Sequence, residues 1–420
     1  MWLIGVGILL VGLIISVALH ELGHLLPAKK FGAAVPEYWV GFGPELLKVK
    51  KGGTTYGLKA ILLGGYVRIV GMFAPTRAGL KTKRRDGTPT LAQQARLQSE
   101  QDVADAIASG TSGVPFYQLS TPKKLAVMSG GPLMNLLISV VLIAVVLLGF
   151  GWQAPSTTLD EVVQEMDGHT TAAATAGLQA GDTITSWSGV EVTSWDQLRE
   201  LIQETPEAGT EVTVDRDGQS KTLEVVPDIA DDGTRSVGIV SALTRERGSL
   251  ADVGSVVWQQ FTGTGKAILT LPVGMYQLGK SIVTGQERDA NGVVSLIGVA
   301  QIAGQITSPS GESSGDGQGG VGIPMSLSDR VIMMISLLAA LNMALFVFNL
   351  IPLPPLDGGH VAGALYGGAK NAVAKVRGKP KPAPADTARL MPLTYGVFGT
   401  LMAITVFLMI ADVLQPLSLS

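Results

Sequence analysis

Apolar residues in this chain gather into long blocks. Four blocks, at about 2–28, 125–151, 331–350 and 392–414, each approach the roughly 20 residues that cross a ~30 Å hydrocarbon core. The third block does not stop cleanly. Asn349 is followed by Pro352, Pro354 and Pro355, then by Asp357-Gly358-Gly359, and the apolar pattern resumes to about residue 370. Proline removes a backbone donor and clashes with the preceding turn, so the helix must open around 349–357. Opened backbone at membrane depth must line a pocket that protein covers. The stretch 54–72 is rich in β-branched and aromatic residues and is punctuated by Gly64-Gly65. It reads as a hairpin or short sheet, apolar enough to dip into the bilayer, although the same pattern suits an ordinary cytoplasmic hairpin. The polar stretch 90–109 reads as a short surface helix, to which no chemistry is assigned.

Between the second and third blocks the pattern changes. Residues 154–243 alternate in short strands, with an amphipathic helix and an Asp217-Gly218 turn that signals a hairpin. Residues 250–330 hold an amphipathic segment carrying Trp258, Phe261 and Tyr276, suited to the membrane surface, and then a Ser/Gly-rich loop over 308–322. The expected order is a first span (1–28), a cytoplasmic segment (29–124), a second span (125–151), a β-rich domain (154–243), the surface segment (250–330), a broken third span (331–370), a cytoplasmic loop (371–391) and a fourth span (392–415).

Composition agrees with a membrane protein. The 420 residues are 46% hydrophobic and 15% charged, with a mean hydropathy of +0.35. The first block has no basic residue before it, and its lysines follow it, which argues against a cleaved signal. Residues 28–124 hold fifteen Lys/Arg against six Asp/Glu, and residues 367–392 hold six against one. Residues 152–330 reverse the balance, with ten against twenty-four. The positive-inside rule places the first two segments in the cytoplasm and the third outside. No nucleic-acid partner is expected; the expected surroundings are a lipid bilayer. With no cysteine, any metal must be held by His, Asp or Glu.

His20-Glu21-Leu22-Gly23-His24 lies inside the first block. On a helix, residues i and i+4 share a face, so two imidazoles reach one ion while the intervening glutamate acts as a base towards water. A charge at the centre of a span costs about 2.5–3.5 kcal/mol on insertion scales, so Glu21 requires a reason to be there. Hydrolytic zinc takes three protein ligands. His20 and His24 are two of them. Asp357, where the third span opens, is the preferred third, and His360 is the alternative; His169 falls in the β-rich domain. Gly130-Gly131-Pro132 and Asn135 open the second span, where a lone Asn ordinarily joins helices by a hydrogen bond.

Several of these elements together resemble one family. They are the His-Glu-x-x-His helix, the Gly-Gly-Tyr-Val stretch at 64–67, Gly-Gly-Pro-x-x-Asn at 130–135, and Asn349-x-x-Pro352-x-Pro354-x-x-Asp357-Gly358. They are similar to the site-2 protease family of intramembrane zinc metalloproteases. Residues 154–243 look like a bacterial PDZ domain, "AGLQAGD" matching that family's small-residue turn, and PDZ domains take an extended peptide beside a sheet edge. The resemblance is to the single-PDZ members that cut anti-sigma factors.

It implies a polytopic α-helical membrane protein with about four transmembrane helices, a membrane-associated β-hairpin and an inserted extracytoplasmic PDZ-like domain. It implies a Zn2+ endopeptidase with Glu21 as base and His20, His24 and Asp357 as ligands. Asn349 and Asn135 would then hydrogen-bond an unwound substrate, and Gly64 and Gly65 would offer it a strand edge. Substrates would be single-span membrane proteins of the anti-sigma type, cut after prior trimming, with extracytoplasmic tails at the PDZ-like domain. Competing expectations are a catalytically silent PDZ adaptor, a protease of remnant signal peptides, and a transporter, since broken helices also mark transporters. The basic stretch 73–118 and the loop 308–322 are departures without an assigned role.

Overall fold

The computed structural model describes residues 2–166, 168–229, 233–284, 295–307, 326–380 and 382–414. The Ser/Gly-rich loop at 308–322 lies outside the described residues. The chain divides into two compact units, Met1–Val146 with Leu250–Ser420, and Leu147–Ser249.

In the first unit, four helical stretches are long and apolar enough to cross a membrane: Trp2–Lys30, Thr121–Phe150, Leu327–Asn349 and Thr387–Leu414. We call their α-helices α1 (Trp2–Lys30), α3 (Thr121–Ala144), α7 (Leu327–Asn349) and α9 (Met391–Leu414). Between α1 and α3 come strands β1 (Glu37–Lys51) and β2 (Thr54–Arg68) and helix α2 (Leu91–Ala108). The protein is a multi-pass membrane protein with a β-rich insertion.

The hairpin differs from the sequence expectation. Thr54–Arg68 is one continuous strand, and its partner is the preceding Glu37–Lys51, turning at Gly52-Gly53. The hairpin bends back on itself. Residues 37–40 pair with 55–58 on one side and with 65–68 on the other. Gly41 and Gly43 take the bend in β1, both at positive φ. The Tyr38 hydroxyl then donates to the Ala18 carbonyl and ties the sheet to α1 (2.7 Å).

Helix α2 is also not a plain surface helix. Its Arg96 is buried and pairs with Asp386, just before the fourth span, at 3.2 and 2.7 Å. The segment expected to lie on the membrane surface contains one long helix, Leu250–Thr284 (α5 below). Phe261 on this helix packs against Phe346 of α7, so this aromatic is engaged within the protein, whereas Trp258 is exposed.

The second unit is built on a sheet of β3 (Trp152–Val162), β4 (Thr183–Trp187), β5 (Thr210–Arg216), β6 (Gln219–Val225) and β7 (Ile239–Glu246), in the order β7-β3-β4-β5-β6. Helix α4 (Trp195–Glu204) covers its core through Leu198 and Ile202. Asp217 and Gly218 both have positive φ, as a two-residue hairpin turn requires. Trp187 is fully buried, and its indole N–H donates to Thr205 Oγ1 at 2.8 Å. After it the chain enters α5 (Leu250–Thr284), α6 (Leu296–Thr307) and α7 of the first unit, and α8 (Asp357–Val376) follows α7.

One ion pair organises the "AGLQAGD" turn. Arg216 grips buried Asp182 through Nε and Nη2 at 2.6 and 2.7 Å, and the Gln179 N–H donates to the same carboxylate. Burial alone pushes this carboxyl up. The Arg216 and Gln179 hydrogen bonds outweigh burial and hold it below the usual carboxylate range. A carboxyl depressed by folding stabilises the fold fully above its unfolded value, about 3.9, and loses that contribution as pH falls through the lower folded value. Asp182→Ala is expected to cost ~3 kcal/mol, the low end for removing one partner of a buried pair, because Arg216 keeps some water. Pulse proteolysis of the full-length protein at neutral pH measures this. An unchanged opening of the second unit would show that the pair is idle.

Candidate metal centre

The site begins with a helix crossing. α1 and α3 meet with no side chain between them. A Cβ on Gly23 would stand 2.3 Å from the Gly130 carbonyl oxygen, and one on Gly131 would stand 2.2 Å from His24 Nε2. The Gly130-Gly131 pair therefore lets α3 pass directly over the His24 ring. Next to it, Pro132 has no N–H to offer the Met128 carbonyl, although α3 continues through it. The neighbouring Val127 carbonyl accepts from His24 Nδ1 at 2.8 Å. With Nδ1 carrying the proton, His24 presents the Nε2 lone pair.

His20 is oriented in a similar way. Its Nδ1 lies 3.1 Å from the Asn135 amide, with Asn135 Nδ2 as the near atom. Asn135 Oδ1 is buried without a partner. A half-turn of the amide puts Oδ1 against His20 Nδ1–H, satisfies both atoms and leaves Nε2 of His20 as a lone-pair donor. The two rings stand edge to face, 4.9 Å apart.

The third donor comes from the break in the third span. α7 ends at Asn349, and α8 starts at Asp357. The proline-rich loop folds back over the first turn of α8. A Cβ on Gly358 would meet the Ile351 carbonyl oxygen at 2.3 Å, and one on Gly359 would meet Pro354 N at 2.5 Å. Only glycines allow this close return, and it aims Asp357 at α1. Asp357 Oδ2 lies 3.4 Å from both His20 Nε2 and His24 Nε2.

These residues fit zinc. Donors at about 2.0–2.2 Å from a tetrahedral ion sit roughly 3.3–3.5 Å from each other. All three donor atoms lie within 4.8 Å of one another, and among the described residues this is the group that meets the requirement. His360 is not in the group, although it is a single turn along α8. His169 is exposed in the second unit.

Glu21 sits beside this group without joining it. A Cβ on Gly65 would stand 3.3 Å from Glu21 Cγ, and the Val67 backbone faces its carboxylate. Residues 65–68 of β2 therefore run directly past the Glu21 side chain, paired on one side to 37–40. Gly64, at φ +140, packs on the Phe42 ring. Asn349 is half-buried at the end of α7, and its side chain makes no hydrogen bond among the described residues. Sequence reasoning missed the Val127 carbonyl. No residue pattern signals it, because it depends on how closely α3 crosses α1.

Two imidazoles inside a membrane-length helix, met by a carboxylate from the break after another and flanked by a glutamate outside the donor set, define a membrane metalloprotease. The chain belongs to peptidase family M50, the site-2 protease family, whose profile matches residues 8–385. It is 28% identical over 452 aligned positions to the zinc metalloprotease Rip1 of Mycobacterium tuberculosis (strain ATCC 25618 / H37Rv), covering 100% of this chain and 99% of the relative. It is 27% identical to the metalloprotease MmpA of Caulobacter vibrioides over 87% of each chain. It is 25% identical to the zinc metalloprotease RasP of Bacillus licheniformis, covering 81% of this chain and 85% of that one. The protein is a zinc metalloprotease.

Proposed function

We propose that this protease cuts the membrane-spanning segment of single-span proteins, with His20, His24 and Asp357 holding Zn2+ and Glu21 acting as general base. The observation that carries the proposal is the position of Glu21, between the convergent donors and the strand at 65–68. When bound, zinc polarises the scissile carbonyl and lowers the pKa of the attacking water. Glu21 takes the proton from that water and hands it to the leaving nitrogen. A helical substrate hides its carbonyls in hydrogen bonds, so it must be extended at the cut. Residues 64–67 give the extended segment a backbone edge. Asn349 supplies a hydrogen bond to the unwound backbone, and Asn135 keeps His20 in its donor tautomer.

The substrate class we favour is a membrane-anchored anti-sigma factor already trimmed on its outer side. The charge balance puts residues 28–124 and 367–392 in the cytoplasm and the PDZ-like unit outside. His24 lies five residues before Lys29. At 1.5 Å per residue, that is about 7–8 Å from the basic flank, so the cut falls near the cytoplasmic side. The PDZ-like unit then acts on substrate selection, through bulk or capture of a newly exposed tail.

The test is cleavage of labelled single-span substrates by the zinc-loaded protein in nanodiscs. Intact protein is expected to cut a trimmed substrate and spare one with a full outer domain. A chain lacking 154–243 is expected to cut both. No cleavage of any membrane peptide by zinc-loaded protein would overturn the proposed activity. A deletion that abolishes every cleavage would overturn the screening role.

A further inference from the structure

The basic stretch 73–118 contributes nothing to the metal centre, but it forms a site of its own. An open cleft of about 550 Å³ lies between the loop at 79–84, the first turn of α2 and the start of the fourth span. Four cations line it: Lys81, Arg84, Arg96 and Arg389. Two of them, Arg96 and Arg389, share the single carboxylate of Asp386. That leaves the pair one positive charge in excess, and Lys81 and Arg84 add two more, of which the Asp86 carboxylate beside Arg84 offsets one. Asp86 keeps its charge while accepting from the Thr88 N–H and hydroxyl, at 2.9 and 2.6 Å, so the cleft carries an excess of two positive charges.

The cleft is constructed rather than incidental. The arm at 81–90 is a tight turn closed by Arg84 N–H to the Thr88 carbonyl and Thr90 N–H to the Thr82 carbonyl, at 2.7 and 2.9 Å. Thr90 then caps α2 by accepting from the Gln93 N–H. Leu91 and Ala92, the first two residues of this 18-residue helix, line the cleft. Their N–H groups have no acceptor within the helix and add to the positive potential. Arg77 Nη2 donates to the Pro384 carbonyl and holds the arm to the segment before the fourth span.

We propose that this cleft binds the phosphate of an anionic phospholipid headgroup. The shared chemistry is a phosphate monoanion or diester held by guanidinium and ammonium groups and helix N–H donors. The membrane is the favoured source because Arg389 and Pro392 belong to the first residues of a span. The cleft therefore opens where lipid headgroups lie against the protein. Basic pockets beside spans take such headgroups in general.

The experiment uses the full-length protein in neutral detergent, with thermal stability followed during titration. The probes are short-chain phosphatidylglycerol, short-chain phosphatidylcholine and inorganic phosphate. Phosphatidylglycerol is expected to stabilise the protein, while the other two at equal concentration do not. Lys81→Gln with Arg84→Gln removes two exposed charges and is expected to raise the required phosphatidylglycerol concentration about 25-fold, with zinc content unchanged. Lys50→Gln with Lys51→Gln, on the hairpin, is expected to leave it unchanged. Equal responses to the two lipids, or equal losses in the two double variants, would overturn the site. A response to inorganic phosphate matching that to phosphatidylglycerol would overturn the lipid as its occupant and leave a site for soluble anions.

Discussion

Glu21→Gln is expected to keep its zinc, insert normally and bind substrate, yet to lose at least the ~10²–10⁴-fold in turnover typical of removing a general base. The substitution keeps size and polarity but cannot accept a proton at neutral pH. Metal binding survives because the convergent donors are His20, His24 and Asp357, and Glu21 is not among them. Substrate binding survives because the strand at 65–68 keeps its pairing with 37–40. Stalled substrate is then expected to accumulate and to crosslink near Gly64-Gly65. Metal analysis, single-turnover cleavage and crosslinking together read the outcome. A variant without zinc would make Glu21 a ligand, and a variant cutting at the normal rate would remove it from the mechanism.

Asp357→Ala is expected to strip the metal while the chain remains in the membrane. The carboxylate is the only donor that α8 brings to the two histidines, and it lies 3.4 Å from each. Its loss leaves two imidazoles, too few for a hydrolytic zinc centre. The fall in zinc affinity is expected to exceed the ~10–100-fold seen when only a residue orienting a ligand is removed. His360→Ala is the matched control. It sits on the same helix outside the donor group and is expected to change zinc content little. Zinc retained in the Asp357 variant and lost in the His360 variant would reverse the assignment.

What was legible in the sequence follows from short-range geometry. The His20–His24 pair is one helical turn, so its shared face is a property of α1 alone. The break before Asp357 is likewise local, since proline blocks a helix wherever it stands. The four spans need only length and apolarity. The Asp217-Gly218 turn needs only two residues tolerant of positive φ.

Other features depend on partners distant in sequence. Tertiary packing brought Asp357, and not the neighbouring His360, to α1, through the return of the proline loop over Gly358 and Gly359. Pairing between 37–51 and 54–68 gave the hairpin its true extent, and two flexible glycines let one strand serve both halves of the other. Burial of Arg96 against Asp386 turned a polar helix into one wall of a cleft. The spans, the shared face of His20 and His24 and the interruption of the third span are legible in the sequence, because each depends on residues within a few turns of one another. The approach of Asp357 to the two histidines, the strand beside Glu21 and the basic cleft came from tertiary packing, because close backbone approach and ion pairing depend on which distant segments the fold brings into contact.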